Sequence, residues 1–204
     1  MASPTPRYSR LEADERRDQI LAAARRVFVT LGPVAASTAA IADEAGVTRG
    51  LVHHYFGTKR ALYLAVVEDL AESLADVVRT DLRHLSVEEM VDANAAAWLD
   101  AIDRDRAIWL ALLGAETVGR DHEVETIMSR ARDQVVERMV ANQAGDAPAS
   151  DELRLVLRTY LGAAETGARE WALHDRATRE QVHAVLKGTL LAMVGLVLPT
   201  VPPR

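Results

Sequence analysis

The sequence predicts an all-α protein made of a small N-terminal head and a larger helical body. Apolar residues recur at helical spacing along most of the chain, and no strand-like alternation bounded by hairpin turns is present. A glycine turn at Gly46 separates two short helical runs near the N-terminus. The head and the body also differ in charge. Residues 1–60 carry a net charge of +3, whereas residues 61–204 carry −9. A basic head on an acidic body indicates that the head alone meets a polyanion such as DNA.

The boundaries that follow are a flexible arm over residues 1–12, a helix-turn-helix head over 13–60 and a helical body over 61–204. The first six residues are rich in proline and polar groups, which favours disorder. Arg7 and Arg10 lie just before the first helix, where they could reach DNA phosphates or a minor groove. A solvated tail is an equally good interpretation of this arm.

The first helix of the head's pair is predicted over residues 38–45. Ser37 is placed to cap it, and Ile41, Ala42 and Ala45 fall on one apolar face. Gly46 can adopt the left-handed backbone that ends such a helix without a clash at Cβ. The helix therefore stops at a sharp turn.

The second helix follows at once, with Thr48 as its N-terminal cap. Leu51, Val52 and Phe56 are its apolar positions, and the side chains between them point outward. A helix of two turns does not need so many exposed cationic and aromatic groups for folding. The pattern indicates a helix that enters a DNA groove.

Residues 17–70 resemble the TetR family of bacterial repressors. The family pattern consists of an apolar helix ending in Phe, a Gly, an Ile-Ala pair, an Ala-Gly-Val-Ser/Thr-x-Gly turn, a Tyr-Phe pair and a Lys-x-x-Leu. In this chain the matching residues are Ile20 to Phe28, Gly32, Ile41-Ala42, Ala45 to Gly50, Tyr55-Phe56 and Lys59 to Leu62. The chain departs from the pattern at residues 33–36, which replace an aromatic-rich linker, and at the short side chains Ala39 and Ala40. These departures place more of the expected DNA recognition on the second helix.

The resemblance implies a ligand-responsive repressor that binds an inverted-repeat operator in double-stranded DNA as a homodimer and is released by a small effector. The alternatives are an activator of the same fold and a helical interaction protein that does not bind DNA. Arg49 is the expected contact to guanine, Gly50 permits close approach, and the remaining groups would bind base edges or phosphates. The predicted DNA-binding residues are Ser37, Thr38, Thr48, Arg49, Gly50, His53, His54, Tyr55 and Lys59. As an alternative, Arg49 could pair with Asp43 or Glu44, Lys59 could be a solvated first-turn residue, and Tyr55 could lie half in the core.

The body is predicted to contain a long helix after Thr58 and further helices over residues 86–102, 106–118, 122–143, 151–174 and 178–198. The last two carry apolar strips that exceed the needs of one small core, and TetR relatives pair these helices across a two-fold axis. The predicted dimer interface is Leu157, Tyr160, Leu161, Ala164, Ala168, Trp171, Leu186, Leu190 and Met193. Packing of these strips within one monomer is the alternative.

The resemblance also implies a pocket in the body for an apolar or amphipathic small-molecule effector. Large apolar side chains and a few polar groups on the predicted helices could line it. The candidates are Asn94, Trp98, Trp109, Leu113, Glu116, Met128, Tyr160 and Glu165. For each of them an ordinary core or surface position is the competing interpretation, and the effector itself is not readable from these residues.

Other classes of function have less support in the sequence. His53 and His54 are adjacent, so they point to different sides of a helix, and the single Glu180-x-x-His183 pair lacks the second copy that di-iron bundles have. No metalloprotease, phosphate-loop or serine-hydrolase motif is recognised, so we expect no cofactor, no metal and no catalysis. The chain has no cysteine, and its apolar run at residues 189–201 is shorter than the roughly 20 residues that span a bilayer. We expect a cytoplasmic protein without a membrane partner.

Overall fold

The computed structural model describes residues 7–78, 82, 84–104, 106, 109, 121–143 and 150–203, excluding the side chains of residues 7–12, 74 and 143. Every regular element among these residues is helical, so the all-α prediction is confirmed. The chain divides into two compact units, Met1–Asp69 and Leu70–Arg204. The predicted helix over 106–118 and the predicted loop after residue 143 fall mostly outside the described residues.

The first unit contains α1 (Arg7–Ala35), α2 (Thr38–Ala45), α3 (Arg49–Phe56) and the first part of α4 (Lys59–Val77). Helix α1 is interrupted at Gly32, whose φ of 75° only glycine adopts easily, and Pro33 follows in the next position. Apolar side chains from all four helices close the core. Its buried members are Ile20, Ala24, Phe28, Ile41, Val52, Phe56, Leu62 and Val66.

The early part of α4 packs with the head, which explains why the division falls after residue 69 and not after residue 60. Arg25 of α1 pairs with Asp69 at 2.9 Å. The rings of Phe28 and Tyr63 meet edge to face with their centroids 5.5 Å apart. Both contacts bind α4 to α1 well beyond the boundary that the sequence predicts.

The helix-turn-helix has the predicted end signals. The Ser37 hydroxyl accepts the backbone N–H of Ala40 at the start of α2, and Thr48 does the same for Leu51 at the start of α3. Gly46 ends α2 with a left-handed backbone, φ 64° and ψ 34°. These local bonds fix the turn because each satisfies a backbone group at a helix terminus.

The described part of the second unit contains α5 (Val87–Arg104), α6 (His122–Gln143), α7 (Asp151–Ala168) and α8 (Arg179–Ala192). Helix α7 continues as a π-helical turn over Arg169–Leu173, and α8 continues through a π-helical turn to Thr200. A capping box begins α5, since Ser86 and Glu89 exchange hydrogen bonds there. A second capping box, Thr178 with Gln181, begins α8.

Helix α8 packs on α5 through polar as well as apolar contacts. The Lys187 ammonium lies 3.0 Å from Glu88 and 3.1 Å from Asp92. Arg179 pairs with Asp100 and donates to the Ala96 carbonyl. One face of α8 is therefore held against protein by charged contacts.

The segment Arg179–Thr200 is also long and apolar enough to cross a membrane by length and composition, with a mean hydropathy of 1.7 over its best window. Only 17% of that window is buried within the described structure. Composition alone does not distinguish a membrane span from a helix that packs on another protein surface. The charged contacts to α5 favour the second interpretation, because a bilayer would leave those groups without water.

Candidate nucleic-acid interface and apolar cavity

Helix α3 presents its polar side chains to solvent and its apolar ones to the core. Arg49, Gly50, His53 and His54 are exposed and Tyr55 is half-buried, as the sequence predicts. Val52 and Phe56 face inward and anchor the helix. A short, firmly seated helix with cationic and hydrogen-bonding groups outward has the size and chemistry that a DNA major groove admits.

Arg49 is held by a neighbour on α2. Its Nε donates to the hydroxyl oxygen of Thr38 at 3.1 Å. Thr38 is only 8% exposed, so it supports Arg49 from within and is not placed to contact a phosphate itself. The alternative pairing with Glu44 is not seen, because Glu44 binds Arg26 at 2.7 Å. The bond to Thr38 holds the Nε of Arg49, and the two terminal nitrogens are not part of it.

Lys59 also bonds within the head. Its ammonium donates to the carbonyl oxygens of Val34 at 2.9 Å and Ala36 at 2.6 Å. These carbonyls end α1 and start the link to α2, so Lys59 closes the C-terminal end of α1. The side chain is half-buried, and its hydrogen bonds stabilise the head whether or not DNA is present.

The remaining predicted DNA contacts lie on or beside α3. Ser37 and Thr48 are exposed N-terminal caps of α2 and α3. The Nδ1 of His53 lies 2.8 Å from the Gly57 carbonyl oxygen at the end of α3. The rings of His54 and Tyr55 meet edge to face at 5.4 Å. Apart from the half-buried Tyr55, these residues are exposed on α3 or at the starts of α2 and α3.

Two residues of α1 reach the same region and were not predicted. The Arg17 guanidinium lies 5.2 Å from the centre of the Phe56 ring, at the end of α3. The Gln19 side-chain amide donates to the Ala45 carbonyl at 2.7 Å and ties α1 to the turn. No sequence spacing indicates either contact, because the partners are 39 and 26 residues away.

The second unit contains an apolar cavity between α5, α6, α7 and α8. It has about 650 Å³ of empty space, which includes its open mouth. The described lining is mostly aliphatic and aromatic, with the Tyr160 hydroxyl, the Trp98 indole N–H and two side-chain amides as its polar groups. The lining residues are Val78, Met90, Val91, Asn94, Ala95, Trp98, Val135, Met139, Asn142, Leu157, Tyr160, Leu161, Ala164, Leu186 and Leu190.

Three of the predicted pocket residues, Asn94, Trp98 and Tyr160, line this cavity. Trp109 is buried and Met128 is half-buried, but neither is part of the described lining. Glu165 instead pairs with Arg132 of α6 at 2.7 Å. Leu113 and Glu116 lie outside the described residues. Residues of α6 such as Met139 were missed because their apolar spacing resembles that of any core helix.

The residues predicted for the dimer interface lie mostly inside the protomer. Leu157, Tyr160, Ala164, Ala168, Trp171, Leu186 and Leu190 are buried, while Leu161 and Met193 are half-buried. Six of these nine, including Leu161, line the cavity. Because large apolar side chains gain most from burial, the helices turn this strip inward and leave their smaller residues outside. The predicted strip therefore forms core and cavity wall and is not an outer surface.

The fold and the exposed α3 surface define a helix-turn-helix DNA-binding protein with a separate helical body. Residues 20–66 match the family described as bacterial regulatory proteins, tetR family. Residues 87–193 match the tetracyclin repressor-like C-terminal domain. These matches cover most of the chain, so the protein belongs to the TetR family of transcriptional regulators.

The chain is similar to regulators of several bacteria. It is 29% identical to the transcriptional activator FasR of Mycolicibacterium smegmatis over 83% of this chain and 78% of that protein. It is 25% identical to the transcriptional repressor AcnR of Corynebacterium jeikeium over 77% of this chain and 85% of the relative. A tetR-family regulator from Streptomyces coelicolor has a solved structure with a TM-score of 0.79 and 25% identity, covering 92% and 84% of the two chains.

Proposed function

We propose that this regulator is a repressor that binds an inverted-repeat DNA operator as a homodimer and is released by an effector in the apolar cavity. The observation that carries the DNA-binding role is the α3 surface, where Arg49 is fixed by Thr38 and stands in an exposed basic and aromatic patch. The head's net charge of +3 over residues 1–60 favours approach to phosphates, whereas the acidic body does not.

Within each half-site, Arg49 would bind guanine, since its forked guanidinium matches the two acceptors of that base in the major groove. Gly50 leaves room for the backbone to come close. His53 and His54 would bind base edges or phosphates, and Ser37, Thr48 and Tyr55 would bind phosphates. Thr38 acts through Arg49, and Lys59 contributes to the site chiefly by holding the end of α1.

The proposed dimer uses the outer faces of α7 and α8. Their exposed residues recur at helical spacing and are mainly apolar or small, with Leu155 at 56% and Val185 at 61% exposure. A Cβ added at Gly162, Gly188 or Gly195 would meet nothing within 4 Å, so the protomer itself does not need these glycines. Such a surface lets a second helix pair approach closely. The face consists of Leu155, Thr159, Gly162, Ala163, Thr166, Ala184, Val185, Gly188, Ala192, Gly195 and Leu196.

Gly167 has a different role from these outer glycines. A Cβ at Gly167 would lie 3.1 Å from Val182 Cγ1, so this glycine allows α7 and α8 of one protomer to pack together. The distinction separates the inner contact from the proposed outer one. A substitution on the outer face therefore tests the dimer and leaves the protomer core intact.

Replacing Val185 by glutamate tests the dimer. A carboxylate of each protomer, buried in the interface without a counter-charge, would cost more than the interface gains, so we expect a monomer by sedimentation equilibrium. The matched control is Ser129→Glu, which adds the same charge at an exposed position of α6, outside the proposed face, and should remain dimeric. A wild-type monomer at micromolar concentration would exclude the proposal.

A two-fold dimer presents two α3 helices to major grooves about 34–36 Å apart, which requires an inverted repeat. Effector binding would favour a dimer conformation in which this separation no longer fits DNA. A coupling of about 1–3 kcal/mol would change operator affinity roughly 5- to 150-fold. The sign of regulation has a second candidate, activation, because the relative FasR is named an activator.

The first experiment is DNA binding by the purified protein, with selection from random sequence followed by fluorescence anisotropy over a salt series. We expect an inverted-repeat motif, a steep loss of affinity with salt, and loss of specific binding in Arg49→Ala. A promoter fused to the selected site and read with and without the protein distinguishes repression from activation. Selection of no motif would contradict the proposal.

The proposed role is binding and not catalysis, and the relatives are regulators. No group of three or more His, Asp or Glu residues that could hold a metal is present in the described part of the chain. We propose that the protein acts in the cytoplasm, where its DNA is. Co-sedimentation with liposomes would test the alternative that the exposed face of α8 binds a membrane surface.

A further inference from the structure

The apolar cavity of the second unit has a lining that restricts what it can bind. Among its described lining residues none is Asp, Glu, Lys, Arg or His. Its polar groups are the Asn94 and Asn142 amides, the Tyr160 hydroxyl and the Trp98 indole N–H. The Asn94 amide nitrogen donates to the Met90 carbonyl of its own helix at 3.0 Å. The described part of the wall therefore offers hydrogen bonds but no counter-charge.

An ionised ligand group would be unfavourable in this environment. Removing a carboxylate or ammonium from water is costly unless an opposite charge and hydrogen bonds replace the water. Glu165, which the sequence suggests for the pocket, instead binds Arg132. A ligand that is neutral where it meets the wall avoids the desolvation cost.

The cavity has the size of a small-molecule site. Its empty space of about 650 Å³ includes the open mouth, so the wall encloses only part of that volume. Ligand pockets of about 300–1,000 Å³ hold small molecules. A short aliphatic chain or a single ring suits the enclosed part.

Tyr160 supplies a hydrogen-bond donor at the wall. Its side chain is 6% exposed, and its hydroxyl makes no hydrogen bond with the residues that the structure describes. Burial raises the pKa of Tyr160 to about 12, so the hydroxyl keeps its proton at neutral pH. A buried hydroxyl is most stable when it has a partner. A ligand with an acceptor atom would provide one.

We propose that the cavity binds a small uncharged apolar molecule, a short chain or a single ring, through one acceptor atom that receives the Tyr160 hydroxyl hydrogen bond. The proposal rests on the proposed function, in which this cavity is the effector site. It assigns the chemical class of the ligand and the residue that orients it. Trp98, also in the wall, lies close enough to report binding by its fluorescence.

Three seven-carbon probes test the proposal on the full-length protein by titration calorimetry and tryptophan fluorescence. Heptan-2-one is neutral with an acceptor, heptane has no acceptor, and heptanoate is charged at pH 7. We expect heptan-2-one to bind most tightly, heptane more weakly, and heptanoate not measurably. Equal affinity for heptanoate and heptan-2-one would overturn the neutral-ligand assignment, and no binding of either neutral probe would overturn the cavity assignment.

Tyr160→Phe keeps the ring and removes only the hydroxyl. It should weaken heptan-2-one binding about 2- to 13-fold, the range for one neutral hydrogen bond, and leave heptane binding unchanged. Tyr63→Phe, in the first unit, is the matched control and should change neither. Unchanged heptan-2-one binding in Tyr160→Phe would overturn the role of the hydroxyl.

Ala164→Leu adds volume to the wall and should abolish binding of both neutral probes, which confirms where they bind. DNA binding of every variant is measured separately on the selected operator. Absence of binding of both neutral probes by the wild-type protein, with operator binding intact, would overturn only the ligand inference. Absence of operator binding by the wild-type protein, with probe binding intact, would count against the proposed function instead.

Discussion

Replacing Thr38 by valine separates the positioning of Arg49 from its charge. The Thr38 hydroxyl accepts the Arg49 Nε–H at 3.1 Å, and Thr38 is 8% exposed. Valine has nearly the same shape, so it keeps the packing beneath the turn while removing the acceptor. In the variant, the Arg49 side chain is free to occupy more rotamers before it meets DNA.

The expected loss of DNA affinity follows from this added freedom of the Arg49 side chain. Fixing a long side chain on binding costs about 0.5–1.5 kcal/mol. Since 1.4 kcal/mol is about tenfold in affinity, Thr38→Val should raise the operator Kd about 2- to 12-fold. The loss of affinity should be seen only with operators that keep the base pair contacted by Arg49. The salt dependence should stay the same, because no phosphate contact is removed.

Fluorescence anisotropy on the selected operator, over a salt series, measures both quantities. A second operator with the guanine replaced shows whether the loss is confined to that base pair. Thr38→Ser keeps the hydroxyl and should bind more like the wild type than Thr38→Val does. Thermal melts followed by circular dichroism establish that each variant is folded.

A double-mutant cycle gives the sharpest refutation. If Thr38 acts only through Arg49, Thr38→Val should have no further effect in an Arg49→Ala background. An equal loss in both backgrounds, or a lower salt slope in Thr38→Val, would show that Thr38 contacts DNA independently. Either result would refute the positioning argument.

Three further changes probe the fold. Lys59→Met leaves the Val34 and Ala36 carbonyls without their donor and should lower the stability of the head by about 1–3 kcal/mol in thermal unfolding, whereas an unchanged melting curve would exclude the capping role. Gly46→Ala forces a side chain into a backbone with φ 64° and should cost about 1–2 kcal/mol in urea unfolding, and a neutral result would mean that the turn relaxes. The Ser86 hydroxyl and backbone N–H lower the pKa of Glu89, so its contribution is complete above its ordinary pKa of 4.5 and is lost as pH falls through the lowered value. Glu89→Gln should remove this part of the acid dependence of unfolding, and an identical pH profile would contradict the assignment.

The helix-turn-helix could be predicted in detail because its signals act over short distances. Ser37, Gly46 and Thr48 each satisfy or release a backbone group within three to five residues along the chain. Apolar spacing then assigns Val52 and Phe56 to the core and leaves Arg49 outside. Neither inference needs a partner from a distant part of the sequence.

The face of α7 that points inward could not be chosen in the same way. The strip through Leu157 and Tyr160 is apolar, but so is the opposite strip through Leu155, Gly162 and Ala163. Hydrophobic periodicity marks both strips and does not say which packs within the protomer. The larger side chains bury more surface, and the structure places them inside. The size of the side chains, more than their polarity, distinguishes the two faces.

Thr38 and Lys59 show why the DNA contacts themselves are harder to predict than the helix that carries them. Both are polar residues beside α3, and a sequence pattern assigns such residues to the surface. Their partners, Arg49 and the Val34 carbonyl, are 11 and 25 residues away, so only the folded head brings them together. Because Thr38 and Lys59 bond within the head, the proposed guanine recognition would depend on Arg49, whose Nε is bonded to Thr38. That dependence is what makes Thr38, although buried, a residue that should affect operator specificity.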